Sequence, residues 1–329
     1  MQSASIFGAG SWGTAIGYLL SSQGHDVSLW GRDQTLVDTI NNTHFNKDYL
    51  DKIRLPESLN ATTNLEASAV QASVWILAVP SFAVRELSEK LKPFCKPDTI
   101  VINLAKGLEA DSLKTMSQVM AEVLPTPLIY TLSGPSHAEE VGLDYPTSVV
   151  LAGENLEIGK QLLEFFQTER FRPYLSQDLL GVEYAGTTKN VIALVAGIVD
   201  GLGFGDNAKG ALITRGLAEM VRLGVQLGTK QDTWFGLSGL GDLVTTCASQ
   251  HSRNRFVGEQ LGKGHTLNEV VEDMNMVAEG VFATKTVYNL AKSHQVEMPI
   301  TAACYGVLYE NAPPMKKLTE LMTRELKME

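Results

Sequence analysis

The sequence is poor in cysteine, carries no excess of positive charge and contains no hydrophobic run long enough to cross a membrane. Its 3 cysteines, Cys95, Cys247 and Cys304, are scattered and form no C-x-x-C pair. This pattern suits a reducing compartment and argues against a disulfide framework or a structural zinc site. The 6 histidines form no H-x-H or H-x-x-x-H pattern, so we expect no metal site.

The net charge of −10 argues against a general nucleic-acid binder, so a bound anion would need a local cluster of Lys, Arg and backbone N–H groups. The chain opens with MQSASIFGAG, which lacks the basic and apolar regions of a secretory signal. The apolar run at 191–199 is far shorter than a membrane span. We therefore expect a cytoplasmic protein without a membrane span, and 329 residues are enough for two domains.

A glycine-rich motif follows the first apolar segment of the chain. Gly8, Gly10 and Gly13 have G-x-G-x-x-G spacing, after the apolar Ser5–Phe7 and before a helical stretch and a second strand at Asp26–Trp30. In this context the glycines let the backbone approach a pyrophosphate, whose charge is met by the N-terminus of the helix. The motif predicts a dinucleotide site, and the alternative is a glycine-rich turn in some other α/β unit.

The residues after the second predicted strand bear on the choice of cofactor. They are Gly31-Arg32-Asp33. Arg32 could bind the 2′-phosphate of NADP, whereas Asp33 could bind the free ribose hydroxyl of NAD. The pattern is mixed and favours NADP, and the alternative for Arg32 is a solvated surface charge.

Further apolar runs alternate with helical segments in the first half of the chain. They are Ser73–Pro80, Asp98–Gly107 and Pro127–Ser136. This alternation predicts a Rossmann-like α/β fold with a doubly wound, mostly parallel sheet. From about Leu179 onward helical patterns dominate, which predicts a second, all-α domain.

We place the dinucleotide-binding domain at 1–180 and the helical substrate and catalytic domain at 181–329. Ligands collect at the carboxyl ends of the strands in such sheets. Lys106 and the turn Ser133–Ser136 lie there, so Lys106 is as well suited to contact an anion as to be a plain loop lysine.

Lys189 lies near the start of a long apolar stretch, EYAGTTKNVIALVAGIVDGLG (Glu183–Gly203). A buried ammonium must find a counter-charge or lose its proton. One interpretation places Lys189 in a cleft facing the cofactor domain. The other is a lysine whose stem lies along the helix while its ammonium reaches water.

Two later loops carry groups suited to an anion. FGLSGLGDLVTTC (Phe235–Cys247) places Asp242 after flexible glycines, and SQHSRNRFVG places Ser252, Arg253 and Asn254 at a predicted helix start. A Ser N-cap beside Arg and Asn can receive a phosphate through the helix dipole and the guanidinium. The alternative is a capped surface helix.

Six motifs in order resemble bacterial NAD(P)-dependent glycerol-3-phosphate dehydrogenase: GAGSWGTA, NLAKGLE, SGPSHAEEV, EYAGTTKNV, GLSGLGDLVTTC and SRNR. The resemblance extends from Gly8 past Glu279. It implies the reversible NAD- or NADP-dependent reduction of dihydroxyacetone phosphate to sn-glycerol 3-phosphate, which feeds glycerophospholipid synthesis, and it makes Lys189 the proton donor and acceptor. For the assembly we predict a homodimer.

The resemblance also assigns residues to the two ligands. Besides the three glycines of the motif, it puts on the cofactor Ser11, Trp12, Arg32, Tyr49, Lys106, Ala138, Arg253, Val277 and Glu279. It puts on the substrate Lys106, Gly134, Ser136, Lys189, Asp242, Ser252, Arg253 and Asn254.

The chemistry of ketone reduction agrees with this assignment. Hydride transfer to a ketone leaves an alkoxide, which needs a proton donor and positive charge nearby. Lys189 would supply the proton, Lys106 the field and Asp242 the counter-charge. His137 is a rival acid without an evident carboxylate partner in the sequence. Rival functions are an aldolase-like Schiff base on Lys189 and a nucleotide sensor without turnover.

Overall fold

In the computed structural model, which describes residues 3–272 and 277–325, the apolar runs of the first half form ten strands. Val, Ile and aromatic residues dominate these runs because they fit a pleated surface that is buried. The strands are β1 (Ser3–Phe7), β2 (Asp26–Trp30), β3 (Phe45–Asn46), β4 (Leu50–Arg54), β5 (Asn60–Thr62), β6 (Val74–Leu77), β7 (Ile100–Asn103), β8 (Ile129–Ser133), β9 (Thr147–Gly153) and β10 (Phe171–Ser176).

Eight of the strands form one sheet in the order β10-β9-β8-β7-β6-β1-β2-β5, and β3 pairs with β4 in a separate hairpin. Neighbours in the large sheet are parallel except β8 and β9. Ile6 of β1 lies opposite Leu29 on one side and Ile76 on the other. The chain winds outward from β1 to β5 and then resumes at β6, so the topological switch point lies between β1 and β6. Ligands bind at such points in open α/β sheets.

Seven helices connect the strands of the sheet. They are α1 (Ser11–Ser22), α2 (Gln34–Thr43), α3 (Leu65–Gln71), α4 (Val84–Leu91), α5 (Met116–Val123), α6 (Ala138–Gly142) and α7 (Leu156–Phe166). Alternate residues of the central strands enter opposite hydrophobic layers. Ile6 and Ile76 pack with α1, α2 and α7, whereas Phe7, Trp75 and Leu77 pack with α3, α4 and α5. Both faces of the sheet are covered, which confirms the predicted doubly wound fold.

The chain divides into two units, one of Met1–Glu109 with Lys114–Glu183 and one of Ala110–Leu113 with Tyr184–Glu329. Every element that the structure assigns to the described residues of the second unit is helical, as predicted. The helices are α8 (Leu179–Gly201, which begins in the first unit), α9 (Asp206–Gln226), α10 (Gln231–Phe235), a π-helical turn (Leu237–Gly241), α11 (Asp242–Ala248), α12 (Arg253–Gly262), α13 (Leu267–Glu272), α14 (Glu279–Ser293), α15 (Pro299–Tyr309) and α16 (Pro314–Met322).

Within the second unit, α8 and α12 approach each other unusually closely. A Cβ atom on Gly258 of α12 would lie 1.9 Å from the carbonyl oxygen of Leu194 on α8. A residue larger than glycine therefore could not occupy this crossing without moving the helices apart. The close approach places the start of α12 beside the residue that follows Lys189. Across the described ranges, no helix is both long and apolar enough to span a membrane.

Candidate functional site

The glycine-rich loop between β1 and α1 has the geometry that a pyrophosphate requires. Gly8 has a φ of +126°, and a Cβ atom there would lie 2.4 Å from the carbonyl oxygen of Ala78, which follows β6. A Cβ atom on Gly13 would lie 2.0 Å from the carbonyl oxygen of Gly8. A Cβ atom on Gly10, by contrast, would meet nothing within 4 Å. The loop is packed tightly against the switch point and open at Gly10, so it fits a dinucleotide.

The first turn of α1 favours a bound anion. It begins at Ser11 after Gly10, which has no side chain to cap the helix, and it carries no acidic residue. Ser11 is buried, and Trp12 is partly buried against the hydrophobic layer of the sheet. The partial positive charge of the helix N-terminus is therefore available for an anion at the loop.

Arg32 and Asp33 differ in what they contact. Arg32 is exposed, two residues after the end of β2. Asp33 is the N-cap of α2, and its Oδ1 accepts hydrogen bonds from the backbone N–H groups of Thr35 (2.8 Å) and Leu36 (3.3 Å). The Asp33 carboxylate thus accepts hydrogen bonds from N–H groups in the first turn of α2, whereas the Arg32 side chain is exposed.

Two further residues assigned to the cofactor, Tyr49 and Ala138, lie on elements that pack with α1. Tyr49 lies in the turn between β3 and β4 and packs against the same hydrophobic layer as α1. Ala138 is buried at the first position of α6, a helix that packs on α1. Both residues therefore belong to elements that surround α1.

Three of the residues assigned to the substrate meet at one carbonyl group. Lys106 Nζ donates a hydrogen bond to the carbonyl oxygen of Gly134 at 3.1 Å, and Ser136 Oγ donates to the same oxygen at 3.0 Å. Lys106 follows β7 and Gly134 follows β8, so the cluster lies at the carboxyl ends of adjacent strands. The predicted location of these groups is confirmed.

The ammonium of Lys189 is buried in the second unit and paired. Its Nζ donates to Asp242 Oδ1 at 2.9 Å and to Thr246 Oγ1 at 2.7 Å. The side chains of Lys189 and Asp242 are only 7% and 3% exposed. The alternative in which the Lys189 ammonium reaches water is therefore wrong, and Asp242 supplies the counter-charge.

A π-helical turn positions Asp242. The turn spans Leu237–Gly241 and leads directly into α11, which begins at Asp242. A Cβ atom on Gly239 would lie 2.1 Å from the carbonyl oxygen of Trp234, so the turn is too tight for a side chain there. Single π-helical turns are frequent at functional sites, and this one sets where α11 begins with Asp242.

The sequence reasoning missed Thr246. It lies four residues after Asp242 on α11, so both side chains lie on the same helix face. Its Oγ1 donates to the backbone carbonyl of Asp242 at 2.6 Å while it accepts from Lys189. The sequence pattern predicted a loop for this segment, so it offered no reason to place Thr246 on the same helix face as Asp242.

Asn254 connects three helices around Lys189. Its Nδ2 donates to Asn190 Oδ1 at 2.9 Å, and its Oδ1 accepts from the backbone N–H of Gly280 at 2.8 Å. Asn190 is the neighbour of Lys189 on α8, and Gly280 is the neighbour of Glu279 on α14. Asn254 therefore brings the starts of α12 and α14 to the lysine.

The start of α12 is capped as predicted. Ser252 is the N-cap, and its Oγ accepts from the backbone N–H of Arg255 at 3.2 Å. Arg253 is exposed, and none of the ion pairs within residues 3–272 and 277–325 includes it. Val277 and Glu279 are partly buried immediately before and at the start of α14. The hydrogen-bonded groups around the Gly134 carbonyl, Lys189 and Asn254 do not include four of the predicted site residues, which are Arg32, Tyr49, Arg253 and Val277.

Cys247 follows Thr246 on α11, but its thiol is not activated. Cys247 is fully buried, and burial raises the pKa of its thiol to about 12, against a smaller lowering by Lys189. The thiol is therefore neutral and unreactive at physiological pH. In the part of the chain that the structure describes, no group of three or more His, Cys, Asp or Glu side chains could hold a metal ion.

Comparison with known proteins identifies the family. Residues 3–159 match the family model for the N-terminus of NAD-dependent glycerol-3-phosphate dehydrogenase, and residues 178–319 match the model for its C-terminus. Glycerol-3-phosphate dehydrogenase [NAD(P)+] 2 of Salinibacter ruber is 48% identical over 99% of this chain and 96% of its own length. Glycerol-3-phosphate dehydrogenase [NAD(P)+] of Thermoanaerobacter sp. is 49% identical over 99% of this chain and 98% of its own length.

The fold comparison agrees with the sequence comparison. The crystal structure of glycerol-3-phosphate dehydrogenase from Coxiella burnetii superposes with a TM-score of 0.95 at 40% identity, covering 98% of this chain and 99% of that chain. The chain therefore belongs to the NAD-dependent glycerol-3-phosphate dehydrogenase family.

Proposed function

We propose that this chain catalyses the reversible reduction of dihydroxyacetone phosphate to sn-glycerol 3-phosphate with NADH or NADPH, and that Lys189 is its general acid and base. The buried contact of Lys189 with Asp242 and Thr246 is the observation that carries the proposal. Family membership supports the reaction, and the contacts of Lys189 support its role as the proton donor and acceptor.

Lys189 transfers the proton in this mechanism. A nicotinamide cofactor held at the glycine-rich loop of Gly8, Gly10 and Gly13 would supply the hydride-transfer chemistry. Reduction places negative charge on the ketone oxygen, and the Lys189 ammonium donates a proton to that oxygen as the charge develops. In the reverse direction the neutral amine of Lys189 accepts the proton of the alcohol. Asp242 and Thr246 hold Nζ in one direction, which limits the geometric freedom of the donor.

We assign most of the cofactor contacts to the first unit. The open face of Gly10 and the first turn of α1 bind the pyrophosphate, with Ser11 and Trp12 at the helix start. Arg32 binds the 2′-phosphate of NADP, because Asp33 already caps α2. The remaining assigned contacts are those of Gly8, Gly13, Tyr49, Lys106, Ala138, Arg253, Val277 and Glu279.

The substrate phosphate is bound by the start of α12. Ser252 is the N-cap of this helix. Arg253, the next residue, has an exposed guanidinium that can bind phosphate through two N–H groups. Asn254 orients this segment beside Lys189. Lys106, Gly134 and Ser136 are the substrate contacts that we assign to the first unit, where they share the Gly134 carbonyl oxygen.

The proposed setting of the enzyme is cytoplasmic glycerophospholipid synthesis, with the chain acting as a homodimer. Sedimentation equilibrium of the purified chain tests the dimer. A monomer at micromolar concentration would contradict this part of the proposal without affecting the reaction.

Loss of reduced-nicotinamide absorbance on addition of dihydroxyacetone phosphate tests the reaction. The wild-type chain should consume NADH or NADPH in proportion to the substrate, whereas Lys189→Met should lose roughly 10²–10⁴-fold in kcat. Sodium borohydride added with substrate should trap no covalent adduct. A trapped adduct at Lys189 would indicate Schiff-base chemistry, and cofactor binding without turnover would indicate a sensor.

A further inference from the structure

Asn46 contacts the glycine-rich loop although it lies outside the motif. It is 0% exposed in β3, and its Nδ2 donates to the carbonyl oxygen of Ala9 at 2.9 Å and to Thr14 Oγ1 at 2.7 Å. Both donors of the side-chain amide are thereby used. Ala9 lies between Gly8 and Gly10, and Thr14 lies in the first turn of α1. Asn46 therefore joins the two sides of the turn.

The contact at Ala9 fixes the direction of a neighbouring N–H group. The Ala9 carbonyl and the Gly10 N–H belong to one planar trans peptide, in which the two bonds point in opposite directions. Holding the Ala9 oxygen therefore orients the Gly10 N–H, at the open position of the loop. Backbone N–H groups that are already oriented bind an anion without a further ordering cost.

The β3–β4 hairpin, which carries Asn46, is packed closely and so holds the side chain of Asn46 against Ala9. Asn46 lies opposite Leu50 in the pairing of β3 with β4. Leu50 and Ile53 of β4 are buried in the hydrophobic layer that contains α1. A Cβ atom on Gly142 of α6 would lie 2.8 Å from Ile53 Cγ1, so the hairpin is packed closely on α6. Asn46 cannot move without disturbing this packing.

The position also carries an energetic cost. Asn46 Oδ1 is buried and makes no hydrogen bond within residues 3–272 and 277–325. A buried acceptor without a partner destabilises the folded state, whereas an apolar side chain of the same size would not. The contacts of Asn46 therefore use the two donors of its amide and not the acceptor.

We propose that Asn46 is a positioning residue for the dinucleotide, because it holds the glycine-rich loop in the conformation that binds the pyrophosphate. The inference rests on the proposed use of NADH or NADPH. Asn46 acts through Ala9 and Thr14 and not by touching the cofactor. The pyrophosphate is common to both cofactors, so the effect of Asn46 should be equal for NADH and NADPH.

Direct binding measurements on Asn46→Leu test the proposal. Leucine keeps the volume and removes both donors. Titration by fluorescence for NADH and NADPH, and by calorimetry for ADP-ribose, should show the Kd of all three ligands raised about tenfold, the value of roughly one hydrogen bond. At saturating cofactor, kcat and the KM for dihydroxyacetone phosphate should stay within about threefold of wild type.

Two further variants separate positioning from general destabilisation. Thr14→Val removes one acceptor of Asn46, and its effect on Kd should not add to that of Asn46→Leu in the double variant. Asn41→Leu is the control for the loss of two amide hydrogen bonds, because the exposed Asn41 exchanges two hydrogen bonds of 2.9 Å with the backbone of Ala61 and none with the loop. It should lower the thermal midpoint of the cofactor-free chain and leave the Kd values unchanged.

The outcomes are distinguishable. Unchanged Kd values in folded Asn46→Leu would overturn the proposal, as would an equal loss in Asn41→Leu. A loss for NADH and NADPH but not for ADP-ribose would also overturn it, because it would place Asn46 at the nicotinamide. If Asn46→Leu does not fold, Thr14→Val decides, and an unchanged Kd there counts against the proposal. A wild-type chain that binds neither NADH nor NADPH would refute the proposed function itself.

Discussion

Breaking the ion pair of Lys189 and Asp242 from one side should cost far more stability than removing the whole pair. The two atoms are 2.9 Å apart, and the side chains are 7% and 3% exposed. Asp242→Leu removes the carboxylate that pairs with the buried ammonium, so we expect the free energy of unfolding to fall by about 3–5 kcal/mol. In Lys189→Met/Asp242→Leu no charge remains to be desolvated, and the loss should be within about 1.5 kcal/mol.

Urea titration followed by the helical circular-dichroism signal measures these differences, because every assigned element of the second unit is helical. The double variant should fold, bind NADPH and have almost no turnover, which separates the loss of the proton donor from the loss of structure. If Asp242→Leu cost less than about 1 kcal/mol, the ammonium would have access to water and the burial argument would be refuted. If the double variant were as unstable as Asp242→Leu, packing and not charge pairing would account for the loss.

Three other predictions concern single residues. Arg32→Ala should raise the KM for NADPH more than that for NADH, since only the 2′-phosphate gives the guanidinium a dianionic partner, and equal changes in steady-state assays would contradict the assignment. Arg253→Ala should weaken kcat/KM for dihydroxyacetone phosphate by roughly 2 kcal/mol or more and leave the slow rate on dihydroxyacetone nearly unchanged, whereas equal losses would make Arg253 structural or a cofactor ligand. Burial raises the pKa of Glu219 from 4.5 to about 7, against the opposing N–H groups of Ile300 and Thr301. Because the folded state keeps this proton longer than the unfolded state, stability should fall by about 3 kcal/mol as pH rises from 4.5 to 7. Urea titrations across that range should show the slope in wild type and lose it in Glu219→Gln.

The sheet could be predicted from the sequence because its signals are local. The second strand, Asp26–Trp30, has the predicted bounds, and β6, β7 and β8 lie inside the three predicted apolar runs. The helix cap at Ser252 was equally readable, since a Ser before a helical pattern is a local signal. In each case the residues that determine the structure are neighbours in the chain.

The contacts that build the site are not local, and the sequence showed fewer of them. Lys189 and Thr246 are 57 residues apart, and their contact depends on how α11 packs on the second unit. Asn46 is 37 residues from Ala9 and has no motif of its own. The cost of burying an ammonium predicted that Lys189 needs a counter-charge, which Asp242 supplies. It did not predict Thr246, because a neutral hydroxyl is not required to balance the charge.

The use of Asp33 as the cap of α2 constrains how cofactor preference could change during evolution or engineering. Replacing Asp33 by a residue that cannot cap a helix, such as Ala, would remove two hydrogen bonds from the start of α2 and lower stability by about 1 kcal/mol before any ligand is considered. Arg32 is exposed and carries no such structural duty. Cofactor preference can therefore change at position 32 with little loss of stability, whereas a change at position 33 also weakens the start of α2. A library that randomises position 32 alone should yield a larger share of stable variants than one that randomises position 33.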